Sequence, residues 1–369
     1  MTTIGHRLAA LAAALGPVDA LLVSDLTNVR WLTGFTGSNG VLLVAPARTV
    51  LITDGRYGEQ AAAQLAAAGV EAEVMVAPTS GGLDALLAAA CVTLGSSAAI
   101  GIEADHVTVA RHTRWTTALG RPLLPTSGVV ESARRQKSTD EVAAIERACA
   151  IADRALAEVA PRLGDGLTEA QVRNLLETRM RELGASGPSY ETIVAAGPHN
   201  AALPHHRPTA TPLTPGDTVI IDVGALVDGY HSDMTRSFVV GEPSPLQREL
   251  YELVLAAQLA GLAAVGPGVP TATVDAACRD LIGAAGYGEW FTHGTGHGVG
   301  LLIHEDPYLN RVSDAVLRPG DVVTVEPGVY RGGFGGIRIE DLVLVTADGS
   351  RRLTASPKDS PCLPSPPTT

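Results

Sequence analysis

Three features of the sequence predict an α+β protein of two domains. The chain has 369 residues, which is enough for two domains of roughly 100–200 residues each. Its first third alternates β-branched runs with Ala/Leu-rich stretches, and the remainder contains long helices and a repeated strand motif. We therefore predict a smaller α/β domain over residues 1–130, an α+β domain over 131–355, and a Pro/Ser-rich tail over 356–369 that frays.

The N-terminal domain is predicted to be a small mixed or parallel sheet covered by helices. Its strand-like runs alternate with helical stretches such as residues 58–68. The runs are DALLVS, GVLLVAP, TVLITD, AEVMVAP and AAIGIEA. Strands that alternate with helices in this way are typical of βα units.

The second domain is predicted to open with a charged helix. Ser138 or Thr139 supplies the N-cap, and Glu141 puts an acidic side chain in the first turn. A second helix is predicted to stop at Gly184, and a third to span about residues 246–262 after the turn sequence EPSP.

The composition excludes several classes of protein. Apolar residues make up 46% of the chain and charged residues 18%, a balance that excludes wholesale disorder. The net charge of −12 and the lack of a long Lys/Arg run argue against nucleic acid as a partner. No run of about 18 apolar residues occurs, so we expect no membrane partner. The four cysteines are scattered singly, which indicates reduced packing residues in a cytoplasmic protein.

An internal repeat is the strongest organisational signal. The segment PGDTVIIDVG begins at Pro215, and PGDVVTVEPG begins at Pro319, 104 residues later. Each segment is predicted to be a turn followed by a strand. After each segment comes a second, glycine-containing turn and then a strand that runs back along the first, so the repeat predicts two similar hairpins.

The repeat places two carboxylates in each copy. The first strands end on Asp222 and Glu326, and the return strands carry Asp233 and Glu340. A chance similarity between two surface hairpins is the alternative, because PGD turns are common. However, Asp222 and Glu326 end the apolar runs VII and VVTV, so we expect them to be buried. Buried charges must be paired or bound to a cation.

A glycine- and histidine-rich segment, HGTGHGVGLLIHEDP, lies between the two copies and contains His293, His297 and His304. Glycine weakens a strand and a buried imidazole needs a polar partner, so this is not core composition. Four crowded carboxylates cannot all ionise unaided, whereas two divalent cations would neutralise them and accept oxygen ligands with one imidazole. The sequence therefore predicts two divalent metal ions; this ligation favours Mn or Co, and Zn is also compatible.

The motifs around these residues resemble the metallopeptidase family of prolidase, aminopeptidase P and methionine aminopeptidase. The resemblance is carried by IDVGALVDGYHSDMTR, HGTGHGVGLLIHE, TVEPGVY and RIEDLV. Upstream, NVRWLTGFTGSNG and ITDGRYGEQA resemble the N-terminal domain of creatinase and prolidase. The resemblance implies a pita-bread catalytic domain with a pseudo-twofold repeat, preceded by a smaller α/β domain of the creatinase/prolidase type.

The resemblance also implies a metal-ligand set. The five implied ligands are Asp222, Asp233, His297, Glu326 and Glu340. Glu326 would in addition move the proton from the nucleophile to the leaving nitrogen.

Further roles follow from the same resemblance. His205 and His304 would contact the substrate and stabilise the tetrahedral intermediate. His206, beside His205, is the less favoured of the pair, and the sequence does not decide between them. His293 would line the pocket for the leaving proline. A second layer of residues, Arg338 and Thr235, would orient the carboxylates Glu340 and Asp233 that lie two positions away.

The implied activity is that of an Xaa-Pro aminopeptidase, which removes the residue before a proline in second position. The pairing of FTGSNG with TDGRY favours this activity over an Xaa-Pro dipeptidase (prolidase), the close alternative. Methionine aminopeptidase-like activity is less favoured because those enzymes usually lack this N-terminal domain. A metal-free creatinase-type hydrolase or a non-catalytic binding protein is disfavoured by the intact ligand set. The relatives also imply a homodimer.

Overall fold

The computed structural model describes residues 3–364, and the chain separates into two units between Arg134 and Arg135. Each unit has its own apolar core. Within the described range, none of the helices combines the length and apolar character needed to cross a membrane.

A six-stranded mixed sheet forms the centre of the N-terminal unit. Its strands are β1 (Ala20–Val23), β2 (Gly40–Ala45), β3 (Arg48–Asp54), β4 (Glu73–Ala77), β5 (Ile100–Glu103) and β6 (Leu124–Thr126). Its helices are α1 (Thr3–Ala13), α2 (Leu26–Thr33), α3 (Gly58–Ala68), α4 (Leu83–Val92), α5 (Val109–Leu119) and α6 (Val129–Arg134). The strand order is β4-β3-β2-β1-β5-β6, with β2 antiparallel to β1 and β3 and the other pairs parallel. The mixed form of the predicted sheet is thereby confirmed.

The central strands of this sheet are buried along their whole length. Every residue of β1 and β2 is buried. This explains why ALLV and GVLLVA are continuous apolar runs rather than alternating ones.

The long helices of the C-terminal unit begin at caps that can be recognised in the sequence. The helices are α7 (Thr139–Val159), α8 (Glu169–Glu182), α9 (Gly197–Asn200), α10 (Pro245–Ala264) and α11 (Thr271–Ala284). Ser138, Thr168 and Ser244 each form a capping box with the Glu or Gln three residues later. The predicted helices at α7, α8 and α10 are confirmed, with Ser138 as the N-cap of α7. Helix α11 was not predicted from the sequence.

Short strands make up the rest of the C-terminal unit. Before the His-rich segment they are β7 (Gly187–Pro188), β8 (Ile193–Ala196), β9 (Thr218–Asp222), β10 (Ala225–Val227), β11 (Tyr230–His231) and β12 (Thr235–Val239). From that segment onward they are β13 (Gly296–Gly298), β14 (Glu305–Leu309), β15 (Val322–Val325), β16 (Gly328–Arg331), β17 (Gly335–Arg338), β18 (Asp341–Val345) and β19 (Ser350–Arg352). They form sheets of order β11-β10-β7, β12-β9-β8, β14-β13-β15-β18-β19 and β16-β17.

The two repeat copies have the same strand order. In each copy a buried strand, β9 or β15, leads into a short hairpin, β10–β11 or β16–β17. The chain then returns to pair antiparallel with the first strand as β12 or β18. Each return is thus two short strands in different sheets, where the sequence predicts one continuous strand. The break arises because the second half of each return pairs with a different strand from the first half.

The C-terminal tail is packed, contrary to the predicted fraying. The Ser356 N–H and hydroxyl donate to Asp153, and the Val239 N–H donates to the Pro361 carbonyl. Lys358 is buried and its ammonium contacts Asp341. Prolines do not prevent packing here because the segment is held by side chains and isolated backbone bonds rather than by a strand ladder. The last residues of the predicted tail, 365–369, lie outside the described residues.

The packing of α10 against α11 generates a stability prediction at Gly261. A Cβ at this position would overlap Cys278 Sγ and lie 2.8 Å from Val325 Cγ1. We expect Gly261→Ala to lower the thermal midpoint by about 2–8 °C, since overpacking costs roughly 1–3 kcal/mol. Gly283→Ala is the matched control, because its Cβ meets no atom within 4 Å and alanine favours a helix. Equal midpoints for the two variants, measured by circular dichroism, would contradict this packing.

Candidate metal centre and active site

The four predicted carboxylates lie where the strands of the two repeat copies end or break. Asp222 is the last residue of β9, and Glu326 directly follows β15; both are half-buried, not fully buried as predicted. Asp233 and Glu340 lie in the breaks before β12 and β18, not inside return strands as predicted. Because β12 returns to β9 and β18 to β15, all four carboxylates line one cavity of about 520 Å³.

His297 joins these carboxylates from β13. Its Nε2 lies 3.5 Å from Asp233 Oδ2 and 3.4 Å from Glu326 Oε1. Single ligand atoms of Asp233, His297 and Glu340 all lie within 4.8 Å of one another. The Nδ1 atom of His297 is 3.1 Å from the Gly298 carbonyl oxygen, which favours Nδ1–H and directs the Nε2 lone pair at the carboxylates. Burial lowers the pKa of His297, so the imidazole stays neutral and able to ligate.

Close backbone packing explains the glycines on either side of His297. A Cβ at Gly296 would overlap the Thr324 carbonyl, and a Cβ at Gly298 would overlap the Asp306 carbonyl. The backbone N–H of His297 donates to Thr324 Oγ1 at 3.0 Å. These glycines therefore let β13 lie close enough to its neighbours to direct His297 at the carboxylates.

The charge of the site fits bound divalent cations. Burial, reinforced by repulsion between carboxylates, raises the pKa of Asp233, Glu326 and Glu340 above the usual range. Arg338 Nη2 lies 2.8 Å from Asp222 Oδ2, but one guanidinium does not neutralise four carboxylates. Carboxylate oxygens with one neutral imidazole are the donors that Mn, Co and Zn accept.

Tyr190 is a site residue that the sequence analysis missed. Its hydroxyl contacts Oδ1 of both Asp222 and Asp233, at 2.5 Å in the second case. The Tyr190 hydroxyl has one hydrogen and can donate to only one of the two carboxylates at a time, so it does not satisfy both. Burial and both carboxylates raise the pKa of Tyr190 well above its usual range, so the phenol remains protonated. An isolated Tyr 32 and 43 residues before its partners leaves no spacing pattern in the sequence.

Contacts cross between the repeat copies in the layer behind the carboxylates. The sequence predicts that Arg338 orients Glu340 and Thr235 orients Asp233, each within its own copy. Instead, Arg338 donates to Asp222 and the Thr235 hydroxyl donates to Glu340 Oε2 at 2.7 Å. Arg338 Nε also donates to Thr235 Oγ1 at 2.9 Å. The predicted pairing fails because the strand breaks lie between each pair, so side-chain alternation does not continue across them.

Three further predicted histidines line the same cavity. His205, His293 and His304 are all in its wall, and the His304 ring centroid is 4.4 Å from that of His297. His206 is buried and its Nε2 lies 2.9 Å from Glu169 Oε2. Of the adjacent pair, therefore, His205 is the residue in the cavity wall.

Hydrogen bonds fix the orientation of His293. The Tyr330 hydroxyl accepts from Arg338 Nη1 at 2.9 Å and lies 2.9 Å from His293 Nε2. The hydroxyl is therefore the donor to Nε2, while Nδ1 lies 2.8 Å from the Gly294 carbonyl. Arg279 also donates to the His293 carbonyl at 2.7 Å. This arrangement presents a neutral ring to the cavity.

Two known protein families match this chain. "Metallopeptidase family M24" matches residues 143–347, more than half of the chain. The chain belongs to metallopeptidase family M24. The "Creatinase/Prolidase N-terminal domain" family matches residues 6–136. The α+β pita-bread fold, preceded by an α/β domain of the creatinase/prolidase type, is thereby confirmed.

The similarity to individual relatives covers nearly the whole chain. The Bacillus subtilis protein named "Uncharacterized peptidase YqhT" is 39% identical over 96% of this chain and 98% of its own. The Xaa-Pro dipeptidase from Bacillus anthracis has a TM-score of 0.91 and 39% identity over 98% of this chain and 99% of its own. The X-Pro aminopeptidase from Thermotoga maritima has a TM-score of 0.86 and 33% identity over 95% and 99%. The chain is therefore a peptide hydrolase of a family that uses divalent metal ions.

Metal binding can be tested at the breaks in the return strands. We expect Asp233→Asn and Glu340→Gln to lower bound metal at least tenfold, because each removes an anionic ligand while preserving side-chain volume. Metal content after gel filtration, measured by mass spectrometry, checks this. The control is Asp228→Asn at the exposed tip of the β10–β11 hairpin, where the backbone φ of 50° also suits Asn. Full metal content in both site variants would contradict the ligand assignment.

Proposed function

We propose that this chain is a dinuclear-metal exopeptidase that hydrolyses the bond between an N-terminal residue and a following proline, an Xaa-Pro aminopeptidase. One observation carries the proposal: a single cavity is lined by four carboxylates and an imidazole suited to metal and by three more histidines. Relatives named Xaa-Pro dipeptidase and X-Pro aminopeptidase, similar over nearly the whole chain, support proline in the second position.

Five residues would hold the metal ions. These are Asp222, Asp233, His297, Glu326 and Glu340. When bound, two divalent cations acidify a water molecule near neutral pH and polarise the scissile carbonyl. Tyr190, Thr235 and Arg338 hold the carboxylates in place through their hydrogen bonds.

Glu326 is the acid/base residue in this proposal. It lies in the cavity wall beside His297, where a carboxylate can accept a proton from water and later release it to a leaving group. It accepts a proton from the attacking water and delivers it to the proline nitrogen as the peptide bond breaks. Thr324 Oγ1, 3.2 Å from Glu326 Oε1, orients the carboxylate for this transfer.

The cavity histidines would act on the substrate itself. His205 and His304 would donate to the carbonyl oxygen as it gains negative charge, a contribution commonly worth about 10²–10³ in rate. His293 would pack beside the proline ring, because its nitrogens are engaged by Tyr330 and Gly294 and its ring is held still.

The pairing of FTGSNG with TDGRY supports an aminopeptidase over a dipeptidase. A dipeptide substrate carries a free carboxylate on the proline, and binding it calls for an available cation near the leaving group. Of the two arginines in the described cavity wall, Arg338 is committed to Asp222, whereas Arg207 is 78% exposed and its 3.4 Å contact with Glu191 is a weak surface pair, so Arg207 is available to bind such a carboxylate. The dipeptidase remains the second candidate because the Bacillus anthracis relative bears that name.

We further propose manganese as the metal, a homodimer and a cytoplasmic location. Oxygen-dominated ligation with one imidazole supports manganese, with cobalt or zinc also compatible. Three of the four free cysteines, Cys91, Cys149 and Cys278, are buried, which supports a reducing compartment. The homodimer rests on the family resemblance.

Peptide length distinguishes the two candidate activities. We expect protein stripped with EDTA to be inactive and Mn²⁺ to restore release of the N-terminal residue from an Xaa-Pro-Yaa tripeptide, measured by chromatography. The matched substrate is the Xaa-Pro dipeptide. Cleavage confined to the dipeptide would make the protein a prolidase, and no cleavage of either peptide by metal-loaded protein would reject the proposal.

A further inference from the structure

The segment that carries His205 has little regular structure of its own. We call residues 197–212 the His205 loop; it links β8 to the turn before β9 and contains only the four-residue helix α9. His205 in this loop is exposed and lines the cavity. A histidine on such a loop needs contacts elsewhere to hold its position.

Both ends of the His205 loop are held by one carboxylate, that of Glu169. Glu169 is the first residue of α8 and is fully buried. Its Oε1 accepts from the Ala196 N–H at 2.8 Å and from Asn200 Nδ2 at 3.0 Å. Its Oε2 accepts from the Thr209 N–H at 2.9 Å and hydroxyl at 2.8 Å, and lies 2.9 Å from His206 Nε2. Although burial opposes ionisation, these donors lower the pKa of Glu169, so the carboxylate is charged.

The backbone at the start of α8 adds two more contacts to the loop. The Glu169 N–H donates to the Thr211 carbonyl at 3.0 Å, and the Ala170 N–H donates to the Thr209 carbonyl at 2.9 Å. The first N–H groups of a helix lack partners within the helix, and here the loop supplies them.

A second anchor lies beside His205 itself. The Pro204 carbonyl accepts from Arg338 Nη1 at 3.1 Å, and the same guanidinium donates to Asp222. His206, on the other side of His205, is held by Glu169. Anchors on the two neighbouring residues leave His205 few positions available to it.

We propose that Glu169 is a positioning residue that sets His205 for substrate through the His205 loop. This inference rests on the proposed function in one respect, that His205 contacts the substrate. The carboxylate is required because both oxygens must accept. A Gln at this position accepts at one oxygen only, and its NH₂ group faces either the Ala196 N–H and Asn200 or the Thr209 N–H.

The closing experiment combines kinetics with hydrogen–deuterium exchange in the full chain loaded with Mn²⁺. We expect Glu169→Gln to lower kcat/KM for an Xaa-Pro-Yaa tripeptide about 10- to 100-fold at unchanged metal content, since small misplacements of such groups cost this much. Amide exchange should rise within residues 197–212. In a His205→Ala background the same substitution should change kcat/KM less than about threefold, because its effect passes through His205.

Two further variants make the experiment specific. Glu141→Gln is the control, a buried first-turn glutamate of α7 that accepts from the Ser138 N–H and the Tyr230 hydroxyl. It should leave exchange in the His205 loop unchanged. Thr209→Val keeps the backbone N–H and removes the hydroxyl, which donates to Glu169 Oε2 and also accepts from the Thr211 N–H. If Glu169→Gln does not fold, about threefold lower kcat/KM with exchange raised beyond residues 209–211, in the part of the loop that contains His205, would support the proposal.

Unchanged loop exchange in Glu169→Gln, or an equal loss of kcat/KM with and without His205, would overturn the positioning role. With Thr209→Val alone, unchanged loop exchange would do the same. If wild-type protein cleaves no Xaa-Pro peptide, the proposed function fails, while loop exchange still decides whether Glu169 holds the loop.

Discussion

The catalytic unit is organised around repulsion between carboxylates that crowd one cavity. Asp222, Asp233, Glu326 and Glu340 share one cavity, and burial together with repulsion from neighbouring carboxylates disfavours the charged forms of Asp233, Glu326 and Glu340. Such an arrangement is stable only if the surrounding structure fixes the carboxylates and a cation balances them. The breaks in the return strands place Asp233 and Glu340 in the cavity wall. Gly296 and Gly298 let β13 lie close to its neighbours, and His297 between them stays neutral and can bind a cation.

The contacts between repeat copies make the two halves interdependent. Arg338 from the second copy orients Asp222 of the first, and Thr235 from the first orients Glu340 of the second. Since Arg338 also donates to Thr235, the two contacts form one network. A change in either copy is therefore transmitted to ligands of the other, and the site behaves as one unit rather than as two similar halves.

The sequence predicts a residue's role best where that role depends on local chemistry. The first cap of the C-terminal unit, the mixed N-terminal sheet and the four carboxylates with His297 could be predicted because capping boxes, apolar runs and repeated motifs are local patterns, whereas the roles of His205, His293 and His304 came from the family resemblance. The breaks before Asp233 and Glu340 could not, since they depend on which strand each short segment pairs with. Tyr190 and the partners of Arg338 and Thr235 were missed or misassigned for the same reason: they are set by tertiary contacts.

The packed tail constrains the order in which the catalytic unit can form during synthesis. Lys358 contacts Asp341, the residue after the ligand Glu340, and Arg236 donates to the Ser356 carbonyl. On the ribosome, these contacts cannot form until the chain beyond residue 358 has emerged. Arg236 and Asp341 already pair with each other at 2.8 Å, so the tail adds to an existing ion pair: until residues 356–358 have emerged, Asp341 lacks the Lys358 ammonium and Arg236 lacks the Ser356 carbonyl.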